Sequence, residues 1–461
     1  MVKTFRNVIA ATALAAGFAG ILTLFSAGHQ DTASLAGSII GLVPVFLLSF
    51  ILYPAAVDVA RKPDVAFLAA LVAYYGFGIV SFTTYRGYIN QYMWAGILLL
   101  AAAAYLIGRQ IGRRTSQLPT DAPSYRLKSW ACYGILIAST GAALSIVATH
   151  GLVLLNPEAR FGVSAKASYL VELSIPVVLS KFCIDMIRQQ RFRWSMLGLP
   201  ALALLMLLCL GYRNQPILLV LGIGLIVLMS LKDDAKVKRF RLAFAAIAPV
   251  AMFSFGLSYL IRTNNSIGRT LSWQGMIREF DVKLPEFSLP YIPLHLASRE
   301  GMGVAEASME RADDMSSYIE RSWFFFSDFL TMLPGYSLTS GRILGMVVNG
   351  REDSSLTPSI LGGLMIGYGY IGVVVYFLLS GWLLGKLTAR FNVTRDPKTL
   401  ALLTICFLYT LELMNRGIFK PMYLIAPLVT VFMFRRIEEK NKARLTATRM
   451  EISKPCNGGK N

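Results

Sequence analysis

Continuous apolar runs, separated by short polar stretches, recur along nearly the whole 461-residue chain. A helix crossing the hydrocarbon core of a bilayer needs about 20 apolar residues in succession. On that template the pattern predicts twelve helices, at 7–27, 35–57, 65–83, 91–108, 130–149, 168–187, 195–211, 215–231, 242–261, 357–385, 399–414 and 420–434. Barrel strands alternate apolar and polar residues over about 10 positions, and these runs are unbroken, so a closed β-barrel is excluded. The expected fold is all-α, a polytopic helical membrane protein with about 12 transmembrane helices. Four regions follow: helices one to nine over 1–261, an external loop with short helices over 262–356, helices ten to twelve over 357–434, and a basic tail over 435–461.

Composition supports this picture. Hydrophobic residues make up 55% of the chain and charged residues 15%, against about 25% charged in soluble proteins. Lys and Arg number 45 against 26 Asp and Glu, a formal charge of +19. In a membrane protein such an excess reads as cytoplasmic loops rich in Lys and Arg, so no nucleic-acid partner is implied. The apolar stretch Val8–Ala27 is longer than a cleavable signal's core of about 7–15 residues and reads as a first span. The cysteines Cys132, Cys183, Cys209, Cys406 and Cys456 have neither disulfide-framework nor metal-ligand spacing.

Charge also assigns sides. Alternate loops carry Arg61 and Lys62, then Arg109, Arg113, Arg114, Arg126 and Lys128, then Arg188, Arg191 and Arg193, then Lys232 to Arg241, then Lys386 to Lys398. These are the expected cytoplasmic loops, and both termini fall on their side. The opposite set of loops is short and poor in Lys and Arg, apart from the long 262–356 segment, which is exempt from the charge rule because of its length. Within that segment Trp323, Phe324, Phe325 and Phe326 suit either a helix at the membrane interface or one packed in the loop's own core.

The expected outer side carries Arg86, Arg160, Lys166, Arg213, Arg416 and Lys420 besides the cations of the long loop. A guanidinium binds phosphate through a two-pronged fork and keeps its charge. In "GYRNQPILLVLGIG", Arg213 directly precedes Asn214, which can cap a helix, and Pro216, which suits a first turn. Unpaired N–H groups and the positive dipole end of that helix would then lie beside Arg213, an anion-binding arrangement. "SSLTPSILGG" and "NRGIFKPMYL" begin later spans similarly. Snorkelling and plain capping explain such residues without a ligand, and both readings stay open.

Gly363/Gly367 and Gly381/Gly385 have the spacing that lets helices approach closely, and a kink is expected near Gly367–Gly369. Asp58 and Asp64 read as structural. Glu172 and Glu412 lie inside spans and are functional candidates by default, although Glu412 has Arg416 four residues on as a structural partner. No P-loop, Cys/His cluster or G-x-S-x-G elbow is present.

"SDFLTMLPGY" followed by "SSLTPSILGGLMIGYGYIGVVVYFLLSG" resembles the C-terminal signature of the bacterial Wzy-type O-antigen polymerases, which are related to O-antigen ligases. "GYRNQPILLVLGIG", with Gly224 eleven positions after Arg213, resembles that family's arginine-led span, and "NPEARFG" its external arginine loop, with Arg160 at the matching position. The resemblance covers about 160–390. It implies a membrane glycosyltransferase that polymerises undecaprenyl-pyrophosphate-linked oligosaccharide repeats at the periplasmic face of the inner membrane. Membrane lipid is a further partner, together with a chain-length regulator, and no cofactor or metal is expected. Arg160, Arg213, Arg342, Arg351 and Arg416 are the substrate-binding candidates. His295, Asp328 and Asp353 are the candidates for the base that takes the acceptor's proton. An O-antigen ligase and a lipid-linked oligosaccharide flippase are the alternatives. A flippase would be expected to show mirrored halves, and no internal repeat is visible.

Overall fold

A computed structural model describes residues 61–79, 89–116, 125–151, 162–210, 214–231, 288–333, 338–351 and 354–436, with the isolated positions 153, 278 and 281. Its helices are α1 (Pro63–Ile79), α2 (Gln91–Arg114), α3 (Ser129–His150), α4 (Ala165–Glu172), α5 (Ser174–Gln189), α6 (Gly198–Cys209) and α7 (Asn214–Ser230). They continue as α8 (Ser288–Glu310), α9 (Ala312–Ser316), α10 (Arg321–Phe324), α11 (Ser327–Leu330), α12 (Ser340–Asn349), α13 (Ser359–Thr394), α14 (Pro397–Arg416) and α15 (Met422–Met433). Two short strands, β1 (Tyr125–Leu127) and β2 (Phe434–Arg436), pair antiparallel. Among the described residues, α2, α3, α13 and α14 are long and apolar enough to cross a membrane, and α1, α6, α7 and α15 are apolar but shorter. The expected spans 7–27, 35–57 and 242–261, and Asp58, lie outside the described residues.

Three elements differ from the pattern-based expectation, each for a local reason. The span expected at 168–187 is two helices divided at Leu173. Pro176 has no N–H to offer the Glu172 carbonyl four residues earlier, so the ladder breaks there. The span expected from 195 opens with a 3-10 turn, Trp194–Leu197, before α6. The span expected at 357–385 is the 36-residue α13, interrupted at Gly369 with φ 62 and ψ −153. That backbone conformation belongs almost wholly to glycine. The Ile366 carbonyl, four residues before Tyr370, accepts from Arg321 Nε at 3.2 Å, and the Tyr368 hydroxyl donates to the Ser322 carbonyl at 2.6 Å. The kink thus falls in the predicted interval and is fastened by α10.

The chain forms two compact units, one of Met1–Thr115, Val227–Thr388 and Cys406–Tyr423, the other of Ser116–Ile226, Ala389–Ile405 and Leu424–Asn461. In the first, α1 packs on α2 and α8. Asp64, wholly buried, receives Arg109 Nε at 2.7 Å and Arg113 Nη2 at 2.6 Å. This confirms its structural reading. A glycine seam lets backbones touch: Gly108 and Gly112 of α2 face the Leu378 and Trp382 carbonyls, while Gly381 and Gly385 of α13 face Tyr105 and Arg109. Phe324 and Phe325 are buried, with Trp323 about half exposed. Phe325, Phe326 and Phe329 gather round Phe419 at centroid distances of 6.0, 5.5 and 6.0 Å. These rings thus pack against Phe419, which lies beyond the 262–356 segment.

In the second unit α3 is the axis. α4 and α5 pack along it, and Ser139 Oγ donates to the Leu170 carbonyl at 2.7 Å. The strand pair lies at its Ser129 end, where the Lys128 N–H donates to the Met433 carbonyl at 2.9 Å. Asp396 caps α14, taking the Thr399 N–H at 2.8 Å ahead of Pro397 in the first turn.

Candidate substrate-binding site

In the second unit, two stretches with expected site residues meet α3 at different heights. The imidazole of His150, at the end of α3, lies against Gly162: a Cβ on Gly162 would come within 3.1 Å of His150 Cε1. Gly162 closes the "NPEARFG" stretch. Half-way down, Thr140 Oγ1 lies 3.3 Å from Met206 Sδ of α6, close to the Ser139–Leu170 contact. At 1.5 Å of rise per residue, Ser139 and Thr140 lie about 15 Å from His150 along the helix. The described ends of α6 and α7, Leu210 and Asn214, flank Arg213. Met206 is one turn from Leu210, and Gln215 next to Asn214 bonds to Glu172. Arg213 thus falls in sequence between the 12-residue α6 and the 17-residue α7. Arg160, Arg213 and Asp353 themselves lie outside the described residues.

Gln215, in the first turn of α7, donates from Nε2 to Glu172 Oε1 at 2.8 Å. The two residues are 1% and 2% exposed. Glu172 ends α4, where that helix's own dipole disfavours negative charge. The amide of Gln215 and the positive end of α7 offset this. Glu172 was visible in the sequence as an intramembrane carboxylate. Gln215 carries only a faint sequence signal, a polar residue in the first turn of an otherwise apolar helix.

In the first unit, the start of α13 is enclosed by protein. The Leu361 N–H donates to the Tyr75 hydroxyl at 3.0 Å, and Gly301 of α8 abuts Ser359. Gly363 and Ser359 also meet the backbone of Gly417, whose φ is 74. The expected anion-facing helix start at "LTPSILGG" is therefore covered at Leu361, and its glycines serve packing. Glu412 of α14, 5% exposed, has Oε1 3.4 Å from Arg416 Nε and 3.2 Å from Lys420 Nζ. The predicted Glu412–Arg416 pair is present, and Lys420 joins it. Two cations on one carboxylate leave the group net positive. Beside it the Tyr74 hydroxyl lies 2.9 Å from Asn415 Oδ1 and 3.1 Å from the Ala297 carbonyl.

The remaining candidates are distributed along the long segment. His295 is fully buried on α8, four residues before the equally buried Arg299, whose Nη1 donates to the Gly78 carbonyl at 3.2 Å. Glu306 fastens the same helix to α2, accepting from the Asn90 N–H at 2.8 Å and Trp94 Nε1 at 2.9 Å. Asp328 Oδ1 accepts from Ser340 Oγ at 2.6 Å and from the Ser340 N–H at 3.2 Å, so it sits at the N-terminus of α12. Arg311 Nη1 donates to the Val347 carbonyl at 2.8 Å near the other end. Both charges oppose the helix dipole in the stabilising sense. Arg342, half-buried in the first turn of α12, and the exposed Arg351 beyond Gly350 are held at opposite ends of that helix. Among the described residues no group of three or more His, Cys, Asp or Glu could hold a metal.

Apolar helices long enough to cross a bilayer, a glycine-seamed helix pair and buried charges neutralised at helix ends define a helical integral membrane protein. Its sequence narrows that class. The family model for O-antigen polymerases matches residues 32–275 and 327–426, most of the chain, and the protein belongs to that family. It is a polymerase that joins repeat units into O-antigen, and its substrate is a lipid-linked oligosaccharide. The matched residues include Arg160, Arg213, Asp328, Arg342, Arg351, Asp353 and Arg416, while His295 falls between the two matched segments. No curated protein and no solved structure matches the chain.

Proposed function

We propose that the protein elongates O-antigen on undecaprenyl pyrophosphate at the periplasmic face of the inner membrane, with twelve spans and both termini in the cytoplasm. The growing glycan is the donor, and the next lipid-linked unit is the acceptor. An acceptor hydroxyl oxygen bonds to the donor's anomeric carbon, the bond from that carbon to the pyrophosphate oxygen breaks, and the hydroxyl proton passes to a base. The leaving group is a pyrophosphate, so fixed positive charge assists its departure more than a proton does. Arg160 and Arg213 contact the pyrophosphate, and Arg342, Arg351 and Arg416 hold the remainder of the substrate. His295, Asp328 and Asp353 are the base candidates. No divalent metal is required, and a chain-length regulator sets the final size.

The observation that carries this reading is the family match over 32–275, which includes both arginine stretches, together with the helix that starts at Asn214 immediately after Arg213. A guanidinium beside a helix N-terminus is chemically suited to a pyrophosphate. The test is the surface glycan of a deletion strain complemented with wild type, Arg160→Ala or Arg213→Ala. Deletion and both variants are expected to leave lipid capped with a single repeat, while the variant proteins remain inserted in the membrane. Normal chain lengths in both variants would remove the arginine assignment. Uncapped core with accumulated polymer after deletion would indicate a ligase, and units trapped in the cytoplasm a flippase.

A further inference from the structure

We propose that the outward face of the β1–β2 pair binds the phosphates of anionic phospholipid headgroups. The strand register sets Arg126 directly opposite Arg435 and Tyr125 opposite Arg436. Directly opposed residues share a face, with Cβ atoms about 4.5–5.5 Å apart, and like charges there repel. Both arginines are exposed, and among the described residues no carboxylate pairs with either. The strands are held from the other face instead, where Tyr125 meets Phe434 edge-on at 6.2 Å and carries Lys398 Nζ at 5.3 Å. Two adjacent guanidinium forks with no carboxylate between them suit a phosphodiester, whose oxygens a fork grips in pairs. The depth agrees. β1 ends at Leu127 and α3 begins at Ser129, and the first turns of α3 expose Trp130 and Tyr133. Trp and Tyr collect at the membrane–water interface, which puts Arg126 at headgroup level. β2 follows α15 directly, so both strands leave apolar helices at one level. Further along α3, Ile137 and Leu144 are exposed, as residues facing lipid tails are. A docked protein would need aromatic or aliphatic anchors. The exposed residues of the two strands are instead Arg126, Arg435 and Arg436. The inference needs the membrane and is independent of the reading of Arg213.

The experiment is thermal unfolding of the full-length protein in neutral detergent, titrated with phosphatidylglycerol, phosphatidylcholine or inorganic phosphate. A ligand of the folded state raises the midpoint as its concentration rises, which yields a dissociation constant. Phosphatidylglycerol is expected to raise the midpoint and phosphatidylcholine to leave it unchanged. Arg126→Gln combined with Arg435→Gln should raise the dissociation constant for phosphatidylglycerol roughly 30-fold, about fivefold for each cation lost. Arg191→Gln combined with Arg193→Gln removes the same charge from exposed residues outside the sheet and should leave that constant near its wild-type value. Without lipid, the sheet variant should melt at or above wild type, because the cross-strand repulsion is gone. Equal weakening by both pairs would reduce the effect to general charge attraction and overturn the proposal. So would a sheet variant that melts below wild type without lipid, since the arginines would then be structural. An equal rise with inorganic phosphate would assign the site to a free anion. Undiminished phosphatidylglycerol binding by the sheet variant would leave this face to another partner. Either of these two results also overturns the lipid assignment.

Discussion

Gly369 and Gly76 are two glycines with the same empty surroundings and opposite expected responses to alanine. A Cβ built on either meets no atom within 4 Å. Packing therefore contributes nothing to the difference, and backbone conformation decides it. Gly76 lies inside α1 at helical angles, where alanine is favoured by about 0.5–1 kcal/mol. Gly369 has φ 62 and ψ −153 at the kink of α13, a conformation that costs a residue with a Cβ about 1–3 kcal/mol. The two variants should differ by about 1.5–4 kcal/mol, with Gly76→Ala at or above wild type and Gly369→Ala below it. Thermal unfolding of the detergent-solubilised protein reads the order, and the glycan ladder of cells carrying each variant reads the effect on elongation. The kink is also where the Ile366 carbonyl receives Arg321. An alanine that straightened the helix would disturb that contact and the loop segment behind it. A Gly369→Ala protein melting with or above Gly76→Ala would refute this reasoning.

Other consequences are independent of the kink. Asp64→Ala leaves Arg109 and Arg113 facing a buried void and should destabilise the protein by about 3 kcal/mol, visible as a lowered melting midpoint; an unchanged midpoint would mean the pair holds nothing. Asp328→Asn keeps an acceptor for Ser340 and loses the negative charge at the N-terminus of α12, at a cost of about 0.3–1 kcal/mol. If capping is its whole role, polymer length is retained once protein levels are matched, whereas lost polymerisation in a stable variant would make Asp328 the base. Chelation of divalent ions should leave the purified enzyme's turnover unchanged, and inhibition reversed by magnesium would contradict the metal-free mechanism.

Much of the fold was legible because long apolar runs leave few choices. The run at 130–149 became α3 nearly residue for residue and the run at 91–108 became α2, which continues six residues further to Arg114, since a membrane helix satisfies its own backbone. What pattern could not give was where a run departs from a single α-helix: the run from 195 opens with the 3-10 turn Trp194–Leu197 before the 12-residue α6. Small-residue spacing identified Gly381 and Gly385 but not their partners, Gly108 and Gly112, on a helix about 270 residues earlier. Among site residues, the Glu412–Arg416 pair was readable from its i,i+4 spacing. The contribution of Lys420, the Glu172–Gln215 bond and the capping role of Asp328 depend on tertiary contacts between distant segments.

The most direct test of polymerase chemistry is reconstitution of the purified full-length protein with lipid-linked repeat units as the sole substrate. A ladder of glycans should form, each chain remaining attached to lipid pyrophosphate, with one free polyprenyl pyrophosphate released per new glycosidic bond. Arg213→Ala should release none. Pyrophosphate release without chain growth, or glycan growth only when a lipid A-core acceptor is added, would contradict it.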